Sequence, residues 1–152
     1  MDDGYGKDKY MNILVSACLL GVKCRYDGTG VDIEGLREAF PNDNLIAVCP
    51  EVIGGLSTPR TPAERIGDKI ITKTGEDVTK AYMQGANEVL KLAKDKNCSL
   101  AILKERSPSC GCGKIYDGTF TGKLIEGNGV TTELLLENGI IVKGETSFHK
   151  TT

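Results

Sequence analysis

A chain of 152 residues, 39% of them hydrophobic, is sized for one domain with one ordinary core. Nineteen basic against twenty-one acidic side chains leave a formal charge of -2, which argues against a broad electropositive face for duplex nucleic acid. No apolar run approaches the roughly 18 residues that span a bilayer, and the polar N-terminus has no signal-type apolar region, so a cytoplasmic protein away from the membrane is expected.

Residues 1–10 (MDDGYGKDKY) carry charge and glycine without periodicity and read as a leader or disordered extension, with the domain running from Met11 to residue 143. Asn12–Ser16 (NILVS) is a nearly continuous apolar run, the pattern of a strand buried on both faces. Residues 33–40 give a short helix with Leu36, Ala39 and Phe40 on one side, closed by Pro41. A second strand follows at 45–48 (LIAV), and Lys69–Thr72 (KIIT) reads as an extra strand. The clearest helix spans 77–94, where Val78, Ala81, Tyr82, Gly85, Ala86, Val89, Leu90 and Ala93 form one 3.6-period face and Asp77 is the N-cap candidate. A third strand is expected at Leu100–Leu103 (LAIL), a helix at Val130–Glu137 stopped by Asn138-Gly139, and a fourth strand at 140–142 (IIV). Residues 144–152 read as a flexible tail. It holds His149, the only histidine, which argues against a histidine-based triad or metal site.

Strands alternating with helices in this order predict an α/β fold, a single small doubly wound domain with a mostly parallel sheet of about four strands. Three long connections, 17–30, 50–68 and 104–129, each follow a strand and hold four of the five prolines. Long loops in a compact domain are usually functional, and in an open parallel sheet these three lie at the carboxyl edge, where ligands bind. Cys18, Cys49 and Cys110 sit one in or beside each of them, so three thiols are able to converge there.

Six cysteines in a chain without an export signal point to metal binding or catalysis rather than disulfides, because the cytosol keeps thiols reduced. The chain contains no CxxC, and a zinc ribbon needs two short cysteine pairs. The CxC pair Cys110/Cys112 leaves a zinc or thiol-redox reading open.

Several motifs carry a resemblance to a known family. SACLLG (16–21), RYDG (25–28), CPEVIGGLSTPRTPAE (49–64), LKERSPSCG (103–111), YDGTFTG (116–122) and GNGVTTELL (127–135) resemble the DUF523 family over nearly all of 11–142. That family includes the thiouracil desulfurases, in which three cysteines hold a 4Fe-4S cluster and leave one iron open to substrate sulfur. The resemblance implies that Cys18, Cys49 and Cys110 are the ligands. It implies further that Glu51 of CPE and Ser107 of SPSCG are the catalytic pair in a non-redox removal of sulfur from a thiolated base such as 2-thiouracil.

The chemistry of these residues agrees. Soft thiolates suit iron-sulfur clusters, and a cluster held by three keeps an open site. Glu51, two residues from Cys49, is the best general acid or base, while a solvated loop charge or an Arg60 partner is its plain alternative. Ser107 either assists catalysis or caps the turn before Pro108. Cys112 is a possible metal contact or a thiol beside the site, and Cys24 and Cys98 read as core or incidental thiols. Arg25, Tyr26, Asp27 and Tyr116 offer charge, ring faces and acceptors around a planar heterocycle, with loop packing as the plain reading for each. A non-catalytic iron-sulfur or sulfide-binding module is the competing function.

Overall fold

The structure, a computed structural model, describes residues 10–148. Of the leader expected over 1–10, residues 1–9 lie outside the described residues, as does His149. In chain order the elements are β1 (Asn12–Ser16), α1 (Glu34–Ala39), β2 (Asn44–Val48), α2 (Pro50–Ile53), β3 (Ala63–Ile66), β4 (Lys69–Thr72), α3 (Thr79–Asp95), β5 (Leu100–Leu103), β6 (Lys114–Tyr116), β7 (Leu124–Glu126), α4 (Val130–Glu137) and β8 (Ile141–Gly144).

Four strands form a parallel sheet in the order β2-β1-β5-β8, as the alternating pattern predicted. The chain leaves β1 toward one edge to make β2, then returns across β1 to make β5. That reversal puts the topological switch point at the carboxyl ends of β1 and β5, where α/β sheets bind ligands.

Side chains alternate across the sheet, and the two faces feed two cores. Ile13, Val15 and Ile102 pack with Ile33 and Leu36 of the α1 region. Leu14, Ala101 and Leu103 pack on the other face with Val89 and Ala93 of α3 and Leu135 of α4. A third cluster joins Tyr82 and Ala86, nearer the N-terminal end of the same α3 face, to Ile70 of β4 and Val130 of α4.

Two antiparallel hairpins, β3-β4 and β6-β7, occupy the second and third long connections. Only β4 was expected. The strands β3, β6 and β7 are three or four residues each, too short for an alternation to stand out. Helix α3 begins two residues later than its pattern suggested. Val78 N–H is drawn to the Ile70 carbonyl at 2.9 Å, so Asp77 stays extended against β4 and its Oδ1 accepts the Thr79 N–H at 2.9 Å.

The expected tail is corrected as far as Phe148. Strand β8 runs on to Gly144, Glu145 is buried in a short 3-10 turn, and the Phe148 ring packs on Phe40 with centroids 5.3 Å apart. A buried carboxylate and an aromatic pair tie down a segment whose polar composition alone suggests fraying.

Candidate active site

The carboxyl edge opens into a cavity of about 610 Å³ whose walls include Cys18, Cys24, Cys49, Cys110, Glu51, Arg60, Tyr82, Lys104 and Ser107. Each of the three thiols named by the sequence arrives on a separately anchored loop.

Cys18 lies in a 3-10 turn directly after β1, and its carbonyl accepts the Val31 N–H at 2.6 Å, folding the long first loop back over the strand. Cys49 follows β2 and precedes α2, whose Pro50 starts the helix without an N–H to satisfy. Cys110 is fixed by the start of α4. The helix's first N–H groups have no intrahelical partner; Val130 N–H and Thr131 N–H donate instead to the Pro108 and Ser109 carbonyls at 2.9 and 2.8 Å. Buried Thr132 adds its hydroxyl to the Cys110 carbonyl at 2.8 Å. The GNGVTTELL motif therefore serves to hold the SPSCG loop.

Ser107 Oγ accepts the N–H groups of Ser109 and Cys110 at 3.0 and 2.9 Å. Ser107 therefore caps the turn, and it also stands in the cavity wall with its own hydroxyl proton still to donate.

Glu51 projects from α2 into a buried polar group. Its Oε2 accepts from the Tyr82 hydroxyl at 3.3 Å and lies 3.6 Å from Arg60 Nη2, and its Oε1 is 3.9 Å from Cys49 Sγ. Helix α2 reaches α3 closely enough to allow this because the crossing is glycine on both sides. A Cβ on Gly54 would collide with the Ala81 carbonyl, and one on Gly85 with the Pro50 carbonyl. Arg60 is anchored by the Ser57 carbonyl, the Thr58 hydroxyl and the Cys24 carbonyl at 3.0, 3.1 and 3.1 Å.

Burial raises the Glu51 carboxyl above its usual range, with the Arg60 charge and the Tyr82 hydroxyl opposing the rise. Tyr82 is likewise pushed up, first by burial and then by Glu51, so it remains a phenol that donates. Burial takes the Cys18 and Cys49 thiols up to about 12, helped at Cys18 by Cys24 and Cys49 and at Cys49 by Glu51. Cys110 is raised by burial and then by Glu51. Thiols this hard to ionise by themselves become good ligands only when a cation supplies the missing positive charge.

The donor set fits an iron-sulfur cluster. All the described cysteines are free, and four of them, Cys18, Cys24, Cys49 and Cys110, line the one cavity. Among the described residues no three donors of the metal-binding types stand close enough to close on a single ion, a spacing that a multi-iron cluster, with its thiolates farther apart, does not need. Arg60 Nε is a buried donor with no hydrogen-bond partner among the described residues. Such an unmet group in a cavity wall fits a site completed by something other than the chain.

Residues 13–147 match the 2-thiouracil desulfurase family. The chain belongs to this family. Proteins similar to this chain include the uncharacterized protein YbbK of Bacillus subtilis (strain 168), 50% identical over 143 residues, with 88% of this chain and 95% of that protein covered. Among solved structures, the 4Fe-4S-dependent thiouracil desulfidase TudS is 46% identical and superposes with a TM-score of 0.86, covering 90% of this chain and 92% of that one.

For a 2-thiouracil desulfurase family member, the remaining residues divide clearly. Arg25, Tyr26 and Tyr116 line the cavity. Asp27 does not: its Oδ1 is used by the Thr29 N–H and hydroxyl at 3.1 and 2.6 Å, a local turn on an exposed loop. Cys112 is also turned away, packing against the α3 side of the sheet with its Sγ 3.6 Å from the Val142 carbonyl. Cys98 is in that same core.

Sequence reasoning undervalued four residues of the wall. Cys24, read as a core or incidental thiol, is a core residue that also lines the cavity, its carbonyl accepting from Arg60. Tyr82 was counted as part of an apolar face, although a buried tyrosine hydroxyl needs a partner and so flags a polar pocket. Lys104 pairs with Glu145 at 2.9 Å, and Glu145 Oε1 accepts the Glu105 N–H at 2.7 Å. Glu64, also in the wall, accepts the N–H groups of Gly118 and Phe120 through its Oε1.

Among the described residues no helix is long and apolar enough to cross a membrane.

Proposed function

We propose that this chain removes sulfur from a thiolated nucleobase such as 2-thiouracil, giving uracil and hydrogen sulfide without net redox change. In this reading Cys18, Cys49 and Cys110 hold a 4Fe-4S cluster. The observation that carries the proposal is the meeting of three separately anchored thiols with a buried Glu51 in one cavity at the switch point. Family membership and the likeness to TudS support it.

When bound, a cluster with one iron free of protein ligands supplies a soft Lewis-acidic position for a thiocarbonyl sulfur. The chain's own residues supply the proton chemistry. Water replaces sulfur at the ring carbon: a carbon-oxygen bond forms, the carbon-sulfur bond breaks, and both water protons leave with sulfide. Glu51, with its carboxyl raised by burial, takes a proton from the attacking water and returns it toward the departing sulfur. Tyr82 and Arg60 hold the carboxylate in place. Ser107, with its acceptor side occupied by two N–H groups, donates its hydroxyl to the substrate. Arg25, Tyr26 and Tyr116 bound the space for the base. A reducing cytoplasmic setting is the one in which six free thiols persist.

The test is anaerobic reconstitution followed by incubation with 2-thiouracil, measuring uracil and sulfide release together with iron. Equimolar products at about four irons per chain are expected. A full cluster with no turnover of any thiolated base would instead support a binding module.

A further inference from the structure

The motif YDGTFTG is the one segment of the family resemblance that the chemistry above leaves largely unused. It forms the tip of the β6-β7 hairpin, and Phe120 at that tip lines the same cavity as the three thiols. Phe120 has a φ of 59°, a left-handed backbone that side-chain-bearing residues rarely adopt. Such a conformation persists only where the surroundings over-determine it, and it clusters at ligand clamps and active sites.

The surroundings here are explicit. Glu64 of β3 is a buried carboxylate, 9% exposed, and its Oε1 accepts the N–H groups of both Gly118 and Phe120 at 2.9 and 3.1 Å. Asp117 Oδ1 accepts the Thr119 N–H and hydroxyl at 2.9 and 2.6 Å, and the Thr119 and Thr121 hydroxyls meet at 2.6 Å. The Asp117 N–H closes the hairpin on the Lys123 carbonyl at 3.0 Å. Gly118, with φ 98°, lies so close on Ile66 that a Cβ would collide with it. Burying an acidic side chain is costly unless it is hydrogen-bonded, and here the N–H groups of Gly118 and Phe120 meet that need.

We propose that Phe120 is the specificity wall of the site, its ring stacking on the flat face of the heterocycle, and that Glu64 is the residue that positions it. This deepens the desulfurase reading and rests on it. A phenyl ring offers no hydrogen bond, so it selects planarity and π-surface and leaves the recognition of ring substituents to the polar walls. Cyclic thiolated bases are then favoured over compact acyclic thiocarbonyls of the same reactivity.

The test uses the cluster-loaded protein and reads three quantities: iron content, the dissociation constant for 2-thiouracil under anaerobic conditions, and KM separately from kcat. Phe120→Ala is expected to raise the dissociation constant and KM by roughly tenfold to a hundredfold, the scale of losing one base-aromatic stack. Iron content should be unchanged and kcat less affected. Phe120→Tyr should retain near wild-type KM. Glu64→Ala should raise KM like Phe120→Ala, Glu64→Gln should rescue because its amide oxygen still accepts both N–H groups, and the double alanine variant should be no worse than Phe120→Ala alone. Should Glu64→Ala fail to fold, the Phe120 series decides by itself. Unchanged affinity and KM in Phe120→Ala would overturn the inference while leaving the desulfurase reading intact. No binding of 2-thiouracil by loaded wild type would overturn both.

Discussion

Replacing Glu51 with glutamine tests the proton chemistry most directly, because the two side chains have the same shape and differ in charge and proton affinity. Glutamine keeps an acceptor for the Tyr82 hydroxyl at 3.3 Å but cannot take a proton from water. Losing a general acid or base typically lowers the rate about 10²- to 10⁴-fold, so kcat for 2-thiouracil should fall at least about 10²-fold. The same change removes the charge 3.6 Å from Arg60, whose side chain is only 8% exposed. Arg60 keeps its carbonyl and hydroxyl acceptors at Ser57, Thr58 and Cys24, and burial disfavours the charged carboxylate that glutamine removes, so the two contributions oppose each other. Tm should therefore change little, staying within about 5 °C of wild type. The two effects separate in the assay: thermal unfolding reports the second, and sulfide release at 25 °C with iron measured on the same sample reports the first. The acid limb of the wild-type pH-rate profile should also sit above the ordinary glutamate range, because burial raises this carboxyl, and it should vanish in Glu51→Gln. Wild-type kcat in Glu51→Gln at full iron would refute the catalytic role whatever happened to Tm.

Serine at Cys18, Cys49 or Cys110 should abolish the brown chromophore on reconstitution, whereas Cys98→Ser and Cys112→Ser should keep about four irons, because neither of those thiols lines the cavity. Cys24→Ser is expected to bind iron as well, and loss of the cluster there would make Cys24 a ligand. Ser107→Ala strands two loop N–H groups, so turnover should fall about tenfold or more and thermal stability by about 1 to 3 kcal/mol, read by kinetics and melting on matched samples. In metal-free protein the folded Cys18 thiol titrates near 12 while an unfolded thiol titrates near ~8.5, so the folded state binds more protons between these values. Its stabilisation is complete below ~8.5 and is lost as pH rises, by up to about 1.4 kcal/mol per pH unit for each such thiol. Urea melts of apoprotein that stay flat from about pH 8.5 to 10.5 would contradict this.

Much of the parallel sheet was legible because its two central strands, β1 and β5, are buried on both faces. Asn12–Ser16 and Leu100–Leu103 stand in the sequence as apolar runs with no alternation to misread, and α3 and α4 announce themselves by period and terminal signals. The hairpins were not, since short strands in polar loops gain their identity from pairing partners distant in the chain. Residues 144–148 show the same limit, their order coming from contacts with Lys104, Glu105 and Phe40.

The site follows a similar division. Residue type and loop position, together with the family motifs, mark Cys18, Cys49, Cys110, Glu51 and Ser107, because soft donors and a carboxylate beside them announce their chemistry wherever the chain puts them. What the sequence could not decide was which neighbours complete them. Tyr26 and Asp27 are neighbours in the chain, yet one lines the cavity and the other closes its own turn. Cys112 is two residues from Cys110, yet its thiol packs beneath the sheet. Tyr82, Arg60 and Phe120 come from a helix and two loops far apart in the chain, and only the close glycine crossing of α2 on α3 and the Glu64-held hairpin bring them to one wall. Local patterns specify elements and reactive groups, whereas the direction of a side chain and the identity of its partner are set by packing between segments that the sequence keeps apart.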